Sequence, residues 1–106
     1  MRDDTFTSFV LDQLAGLGDV RAKAMFGGHG LYRGETFFGI VYKGRLYFRV
    51  DDVARQEYVE RGMKPFRPSS RQTLGTYYEV PVQVLEDPAE LSRWARRATS
   101  GQSSDE

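Results

Sequence analysis

The feature that most constrains the fold of this sequence is a Lys43-Gly44 pair between two runs of aromatic and β-branched residues. The runs cover residues 36–42 and 45–50. A dipeptide that ends in glycine between two such runs is typical of a two-residue β-hairpin turn. Together with the segment that precedes it, this pattern predicts an antiparallel β-meander from Met25 to Val50.

The preceding segment begins with a predicted strand from Val20 to Phe26. The glycine run at residues 27–30 then bends the chain or divides this strand, and an Arg33-Gly34 pair predicts another turn. Glycine is common at such points because it adopts backbone conformations that other residues avoid.

With Lys43-Gly44 as a two-residue turn, Tyr42 pairs with Arg45, and side chains alternate between the two faces of the sheet. One face is then wholly apolar and is predicted to pack on the helices: Phe37, Gly39, Val41, Leu46, Phe48 and Val50. The other is mixed and is predicted to be an open interface: Phe38, Ile40, Tyr42, Arg45, Tyr47 and Arg49. On an ordinary exposed face, arginine stems and tyrosine rings would instead shield one another. A bulge would shift the register and redistribute these residues.

Three helices are predicted around the meander, over residues 5–17, over 52–61 and from Asp87 to about residue 100. The last has the clearest start, because Asp87 fits the N-cap, Pro88 the first helical position and Glu90 the capping box. Residues 64–75 are predicted as a loop with a short extended piece, and residues 76–80 as a strand.

The length of 106 residues suits one domain, predicted to cover residues 1–101, with a polar tail over 102–106 that is predicted to be disordered. Fifteen basic residues balance fifteen acidic ones, which argues against a protein whose main task is to grip nucleic acid. The chain has no cysteine, which excludes disulfides and thiolate chemistry. The acidic N-terminus does not resemble a signal peptide and no apolar stretch approaches a membrane span, so we expect a cytoplasmic protein without a membrane partner.

No pattern in the sequence predicts catalysis, a metal or a cofactor. His29 is the one histidine. The acidic pairs Asp51-Asp52 and Glu86-Asp87 stand where helices are predicted to begin, so capping explains them. The run Gly27, Gly28, His29 and Gly30 is a candidate ligand contact, but it lacks the Lys-Ser/Thr of a P-loop. The alternative is that its glycines allow a bulge or a close backbone approach. We therefore expect a protein that is not an enzyme.

Five arginines form the candidate nucleic-acid contacts. They are Arg67 and Arg71 in the predicted loop and Arg93, Arg96 and Arg97 near the end of the last helix. Aromatic residues beside the first two could stack on bases. The alternative for the other three is that cations at a helix C-terminus complement the helix dipole.

Several of these segments together resemble the N-terminal domain of the TfoX/Sxy family of competence regulators. The matching segments are RAKAMFGGHGLY at residues 21–32, GRLYFRVD at 44–51, PF at 65–66, YYEVP at 77–81 and the Asp87-Pro88 start of the last helix with Trp94-Ala95. The resemblance covers about residues 6 to 100. It implies an α+β fold of two layers, in which the helices lie on one face of an antiparallel sheet in the order α-β-β-β-α-β-β-α, as in secretion-chaperone-like proteins.

The resemblance also implies a bacterial regulatory role. Full-length relatives activate transcription of DNA-uptake genes and carry a second domain, and this chain ends before such a domain could begin. We therefore expect a stand-alone, non-enzymatic regulatory or protein-interaction domain that binds a protein partner or itself as a homodimer. The alternatives are an accessory nucleic-acid-binding protein and, third, a small-ligand sensor or enzyme.

Overall fold

The computed structural model describes residues 2–25 and 27–103, which form an α+β fold around one antiparallel sheet. The elements in chain order are α1 (Arg2–Gln13), β1 (Val20–Met25), β2 (Gly28–Arg33), β3 (Thr36–Tyr42), β4 (Arg45–Arg49), α2 (Asp52–Glu60), β5 (Pro65–Ser69), β6 (Gln72–Glu79), α3 (Val82–Leu85) and α4 (Pro88–Ser103). The sheet order is β1-β2-β3-β4-β6-β5, and all neighbouring strands are antiparallel.

The predicted fold class is confirmed, and the element order broadly matches the prediction. The glycine run divides the first predicted strand into β1 and β2, which is one of the two outcomes that the sequence leaves open, and Gly27 has a φ of +78° between them. The short extended piece predicted within residues 64–75 is β5, but the end of this predicted loop holds the start of β6. The short helix α3 was not predicted.

The ends of α2 follow from local sequence signals. The Asp51 side chain accepts a hydrogen bond from the Ala54 amide at 2.8 Å, as an N-cap does. At the other end Gly62 has a φ of +79°, and the Met63 amide donates to the Tyr58 carbonyl at 3.0 Å. This is the Schellman ending that the glycine predicts.

The last helix begins as predicted and ends later. The Glu90 amide donates to Asp87 Oδ1 at 3.3 Å, but the Glu90 carboxylate accepts from Arg93 and Trp94 instead of closing the predicted capping box. The helix α4 continues through Ser103. Residues 102 and 103 of the predicted disordered tail are therefore helical, and residues 104–106 lie outside the described residues. The first helix lies earlier in the chain than predicted, because α1 begins at Arg2 and ends at Gln13.

The helices pack on one face of the sheet and enclose the main core. Trp94 of α4 and Tyr58 of α2 meet edge to face at 4.8 Å between ring centroids, and both are buried. The core contains side chains from helices and central strands: Val10, Leu14, Leu31, Phe38, Val41, Leu46, Phe48, Val50, Tyr58, Val84, Leu91, Trp94 and Ala95. Among the described residues, no helix combines the length and apolarity that crossing a bilayer requires.

The predicted hairpin register is confirmed from Tyr42–Arg45 to Gly39–Phe48. Lys43 and Gly44 both have positive φ, at 52° and 74°, which is the type I′ turn that matches the twist of the strands.

A bulge makes the predicted faces wrong at two positions. Leu31 pairs with Gly39 but Tyr32 pairs with Phe37, so Phe38 is the extra residue between them. As a result Phe38 is fully buried under the helices, 5.6 Å from Phe48 between ring centroids, and Phe37 lies on the opposite face. The prediction had placed these two phenylalanines the other way round.

Candidate interaction surface

The outer face, which is the sheet face opposite the helices, divides into a covered half and an open half. The covered half lies where the β5–β6 hairpin brings the Phe66 ring against Tyr47 and Tyr42, at 4.8 and 5.3 Å between ring centroids. Phe66 is 0% exposed, Ile40 1% and Tyr47 8%. These side chains and Tyr77 form a second, smaller core.

The six residues predicted as an open interface therefore do not form one. Phe38 belongs to the main core, and Ile40 and Tyr47 are buried beneath Phe66. The covering residue was missed because its segment, rich in proline, serine and arginine, reads as a loop.

The polar members of that predicted interface already have partners. Arg45 Nη1 is 2.9 Å from Glu79 Oε2, and Arg49 hydrogen-bonds the Tyr77 side chain. Burial raises the pKa of Tyr47, and the Glu79 carboxylate adds to the shift. Burial also raises the pKa of Tyr77, against the opposing effect of Arg49.

The open half carries a basic–aromatic patch, formed by Arg21, Lys23, Tyr32, Glu35 and Phe37. In β1, Val20 and Ala22 pack against the main core, so the alternating Arg21 and Lys23 side chains lie on the outer face. Tyr32 and Phe37 are half-buried on the neighbouring strands.

Contacts within the patch hold it in shape. The Lys23 ammonium lies 5.8 Å from the centroid of the Tyr32 ring, and the Tyr32 and Phe37 ring centroids are 5.1 Å apart. Arg21 Nη2 donates to the Gly34 carbonyl at 2.7 Å. A shallow pocket of about 330 Å³ lies among Arg21, Ala22, Lys23, Tyr32 and Glu35.

This arrangement places two exposed cations beside half-buried rings, which suits acidic and apolar side chains of a protein partner. Arg21 and Lys23 were not among the predicted site residues. The signal that could have identified them is the alternation of small apolar and cationic residues from Val20 to Ala24.

The glycine run has a packing explanation. A Cβ on Gly28 would collide with the Val41 carbonyl oxygen, and one on Gly30 would lie 2.7 Å from Met25 Cε and 2.9 Å from a Phe37 ring carbon. The close backbone approach that the sequence offers as an alternative therefore accounts for Gly28, and side-chain packing accounts for Gly30.

His29 turns towards α1 rather than the outer face. Its Nδ1 lies 3.1 Å from Thr7 Oγ1, in a partly buried contact between β2 and the first helix. Among the described residues, no group of three or more His, Asp or Glu side chains is placed to hold a metal ion.

The five arginines proposed for nucleic acid lie on two separate elements. Arg67 and Arg71 belong to the β5–β6 hairpin, where Arg67 donates to the Ser70 carbonyl at 3.0 Å. The other three, Arg93, Arg96 and Arg97, lie on α4.

The arginines of α4 do not lie at the helix end. The helix continues to Ser103 and its last turn holds no basic residue, so the dipole explanation is wrong. Arg93 pairs with Glu90 at 2.7 Å, and Arg97 pairs with Glu57 at 2.8 Å while stacking on Trp94. These pairs link α4 to itself and to α2.

Comparison with known proteins identifies a family and one curated relative. The sequence model of the TfoX N-terminal domain family matches residues 12–101. The DNA transformation protein TfoX1 of Aliivibrio fischeri (strain ATCC 700601 / ES114) is 32% identical over 77 residues, which is 71% of this chain and 37% of that protein. The matched part of the chain thus spans little more than a third of that relative's length.

Proposed function

The chain belongs to the TfoX N-terminal domain family, and on this premise we propose that it is a cytoplasmic, non-enzymatic regulatory domain that acts in DNA uptake by binding another protein. Its relative is named a DNA transformation protein, which suggests the process. The observation that carries the binding role is the basic–aromatic patch on the open half of the outer face.

Two features of the molecule support this choice of surface. The apolar side chains of the covered half lie against Phe66, whereas the half-buried Tyr32 and Phe37 rings of the patch lie beside the exposed Arg21 and Lys23 side chains. Arg93 and Arg97 on the helical side are already paired with acids, whereas Lys23 contacts an aromatic ring. Interfaces commonly combine such aromatic and cationic groups.

The proposal is tested by charge reversal in the organism that carries the gene. We expect Arg21→Glu with Lys23→Glu to lower the frequency of transformation by about tenfold or more, since reversing charges at an interface costs at least 1.4 kcal/mol of binding. Immunoblotting checks that the protein level is unchanged.

A matched control reverses the same number of charges elsewhere. Arg67→Glu with Arg71→Glu changes exposed residues of the β5–β6 hairpin and should leave the frequency unchanged. If this control pair abolishes transformation and the patch pair does not, the protein-binding proposal is wrong and the nucleic-acid alternative is favoured.

A further inference from the structure

The two edges of the sheet differ in how they could receive another strand. β5 contains Pro65 and Pro68, which have no amide hydrogen, and its pairing with β6 is irregular at two points. β1 contains no proline and pairs with β2 in an unbroken register from Val20–Arg33 to Met25–Gly28. An intact strand at a sheet edge is a template for pairing with another chain.

The hydrogen-bond pattern shows which groups of β1 face outward. The Gly34 amide donates to the Asp19 carbonyl at 3.1 Å, and these residues continue the register of β1 with β2. In an antiparallel ladder, hydrogen-bonded and non-hydrogen-bonded pairs alternate. The amide and carbonyl groups of Val20, Ala22 and Ala24 therefore point away from β2, along the free edge.

We propose that this edge accepts a β-strand from a partner protein that carries acidic side chains at alternate positions. The proposal rests on the proposed function and names the chemistry of the partner. Main-chain groups of Ala22 and Ala24 would pair with the added strand, as in β-augmentation. Every second side chain of that strand would then lie on the outer face, beside Arg21 and Lys23.

The pocket beside the edge provides the specificity. It lies between the two cations and is bounded by Tyr32, so it can receive an acidic side chain with an apolar stem. Its lining holds two cations and one acid, Glu35, which leaves an excess of positive charge for the partner to balance.

The same charges disfavour a second copy of this chain as the occupant. If two β1 strands paired antiparallel with their outer faces aligned, the two registers of greatest overlap would place Arg21 opposite Lys23 or Lys23 opposite itself. Like charges directly opposite each other destabilise a strand pair. Lysine on an edge strand is also a common protection against self-pairing.

The first test uses two synthetic probes of about eight residues, the length of an ordinary strand. One alternates glutamate with valine and the other lysine with valine, both with blocked ends and a fluorescent label. In anisotropy titrations at low salt we expect the glutamate peptide to bind at least tenfold more tightly. Equal binding of the two peptides, or tighter binding of the lysine peptide, would overturn the inference.

The second test locates the peptide on the wild-type protein. With the glutamate peptide present, amide hydrogen exchange should slow at Val20, Ala22 and Ala24, because these groups gain partners. Protection that is confined to the helices, or absent at these three amides, would show that the peptide does not add to β1.

The third test removes one edge donor. Ala24→Pro deletes an amide hydrogen that faces the free edge and leaves the ladder with β2 intact, whereas Ala24→Thr retains the hydrogen and favours strand. We expect the proline variant to lose at least tenfold in affinity and the threonine variant to bind as wild type. Circular dichroism melts check folding, and Ala22→Pro serves as the second variant if Ala24→Pro unfolds.

The outcomes separate this inference from the proposed function. If charge reversal at Arg21 and Lys23 lowers transformation but both proline variants fold and bind the peptide normally, the patch functions without strand addition and the edge inference is wrong. If charge reversal leaves transformation unchanged, the proposed function itself is wrong.

Discussion

The covered and open halves of the outer face are built from the same kinds of residue and end in different environments. Tyr47 and Tyr77 in the covered half are buried, whereas Tyr32 and Phe37 in the open half are only half-buried. The difference comes from Phe66, which reaches across the sheet from β5. The aromatic content of a strand face does not determine its exposure, which depends on the element that lies across it.

The two edge strands of the sheet, β5 and β1, also differ from each other. The hairpin that covers one half also ends the sheet with a proline-containing edge strand. The other edge remains regular and places cations beside the half-buried rings. One end of the sheet thus finishes in an irregular strand with prolines, and the other in a regular strand with exposed cations.

Removal of the Phe66 ring should change the stability of the fold most. Phe66→Ala should lower the free energy of unfolding by about 3 to 5 kcal/mol, because it removes a fully buried aromatic side chain and leaves a cavity over Tyr47. Urea denaturation measures the change, and exposed Arg67→Ala in the same strand should stay within about 0.5 kcal/mol of wild type. A loss below 1 kcal/mol for Phe66→Ala would mean that the covered half is not a true core.

A smaller loss is expected at the glycine run. Gly28→Ala should cost about 1 to 3 kcal/mol, since its Cβ would collide with the Val41 carbonyl and push β2 away from β3. Gly75→Ala is the matched control, because a Cβ there meets nothing within 4 Å, so the unfolding free energy should hold or rise slightly. Equal stability of the two variants in urea would remove the packing explanation for Gly28.

Local signals predicted much of the fold. The Lys43-Gly44 turn and the Asp87 cap lie where the sequence places them, because each depends on the conformation of a few neighbouring residues. The hairpin register follows from its turn for the same reason.

Features set by tertiary packing could not be predicted in this way. The bulge at Phe38 exchanges the faces of two adjacent phenylalanines, and nothing in two identical side chains indicates which is buried. The cover by Phe66 depends on a contact between distant segments. The cations of β1 are a different case. Their alternation with Val20 and Ala22 is visible in the sequence and could have identified them.

Removal of the Tyr47 hydroxyl in the covered half should change stability least, and only at high pH. Burial raises its pKa in the folded state, so the unfolded state ionises first as the pH rises through the ordinary tyrosine value of 10.0. The stabilising contribution of the neutral hydroxyl is therefore complete below pH 10 and is lost progressively above it. Tyr47→Phe keeps the ring and cannot ionise, so its unfolding free energy should fall less than that of wild type between pH 9 and 11. Urea titrations at each pH measure the difference, with the pH 7 values as the control for packing. Parallel curves for the two proteins would mean that Phe66 does not keep water from this hydroxyl, and the contrast between the two halves would then be one of packing alone.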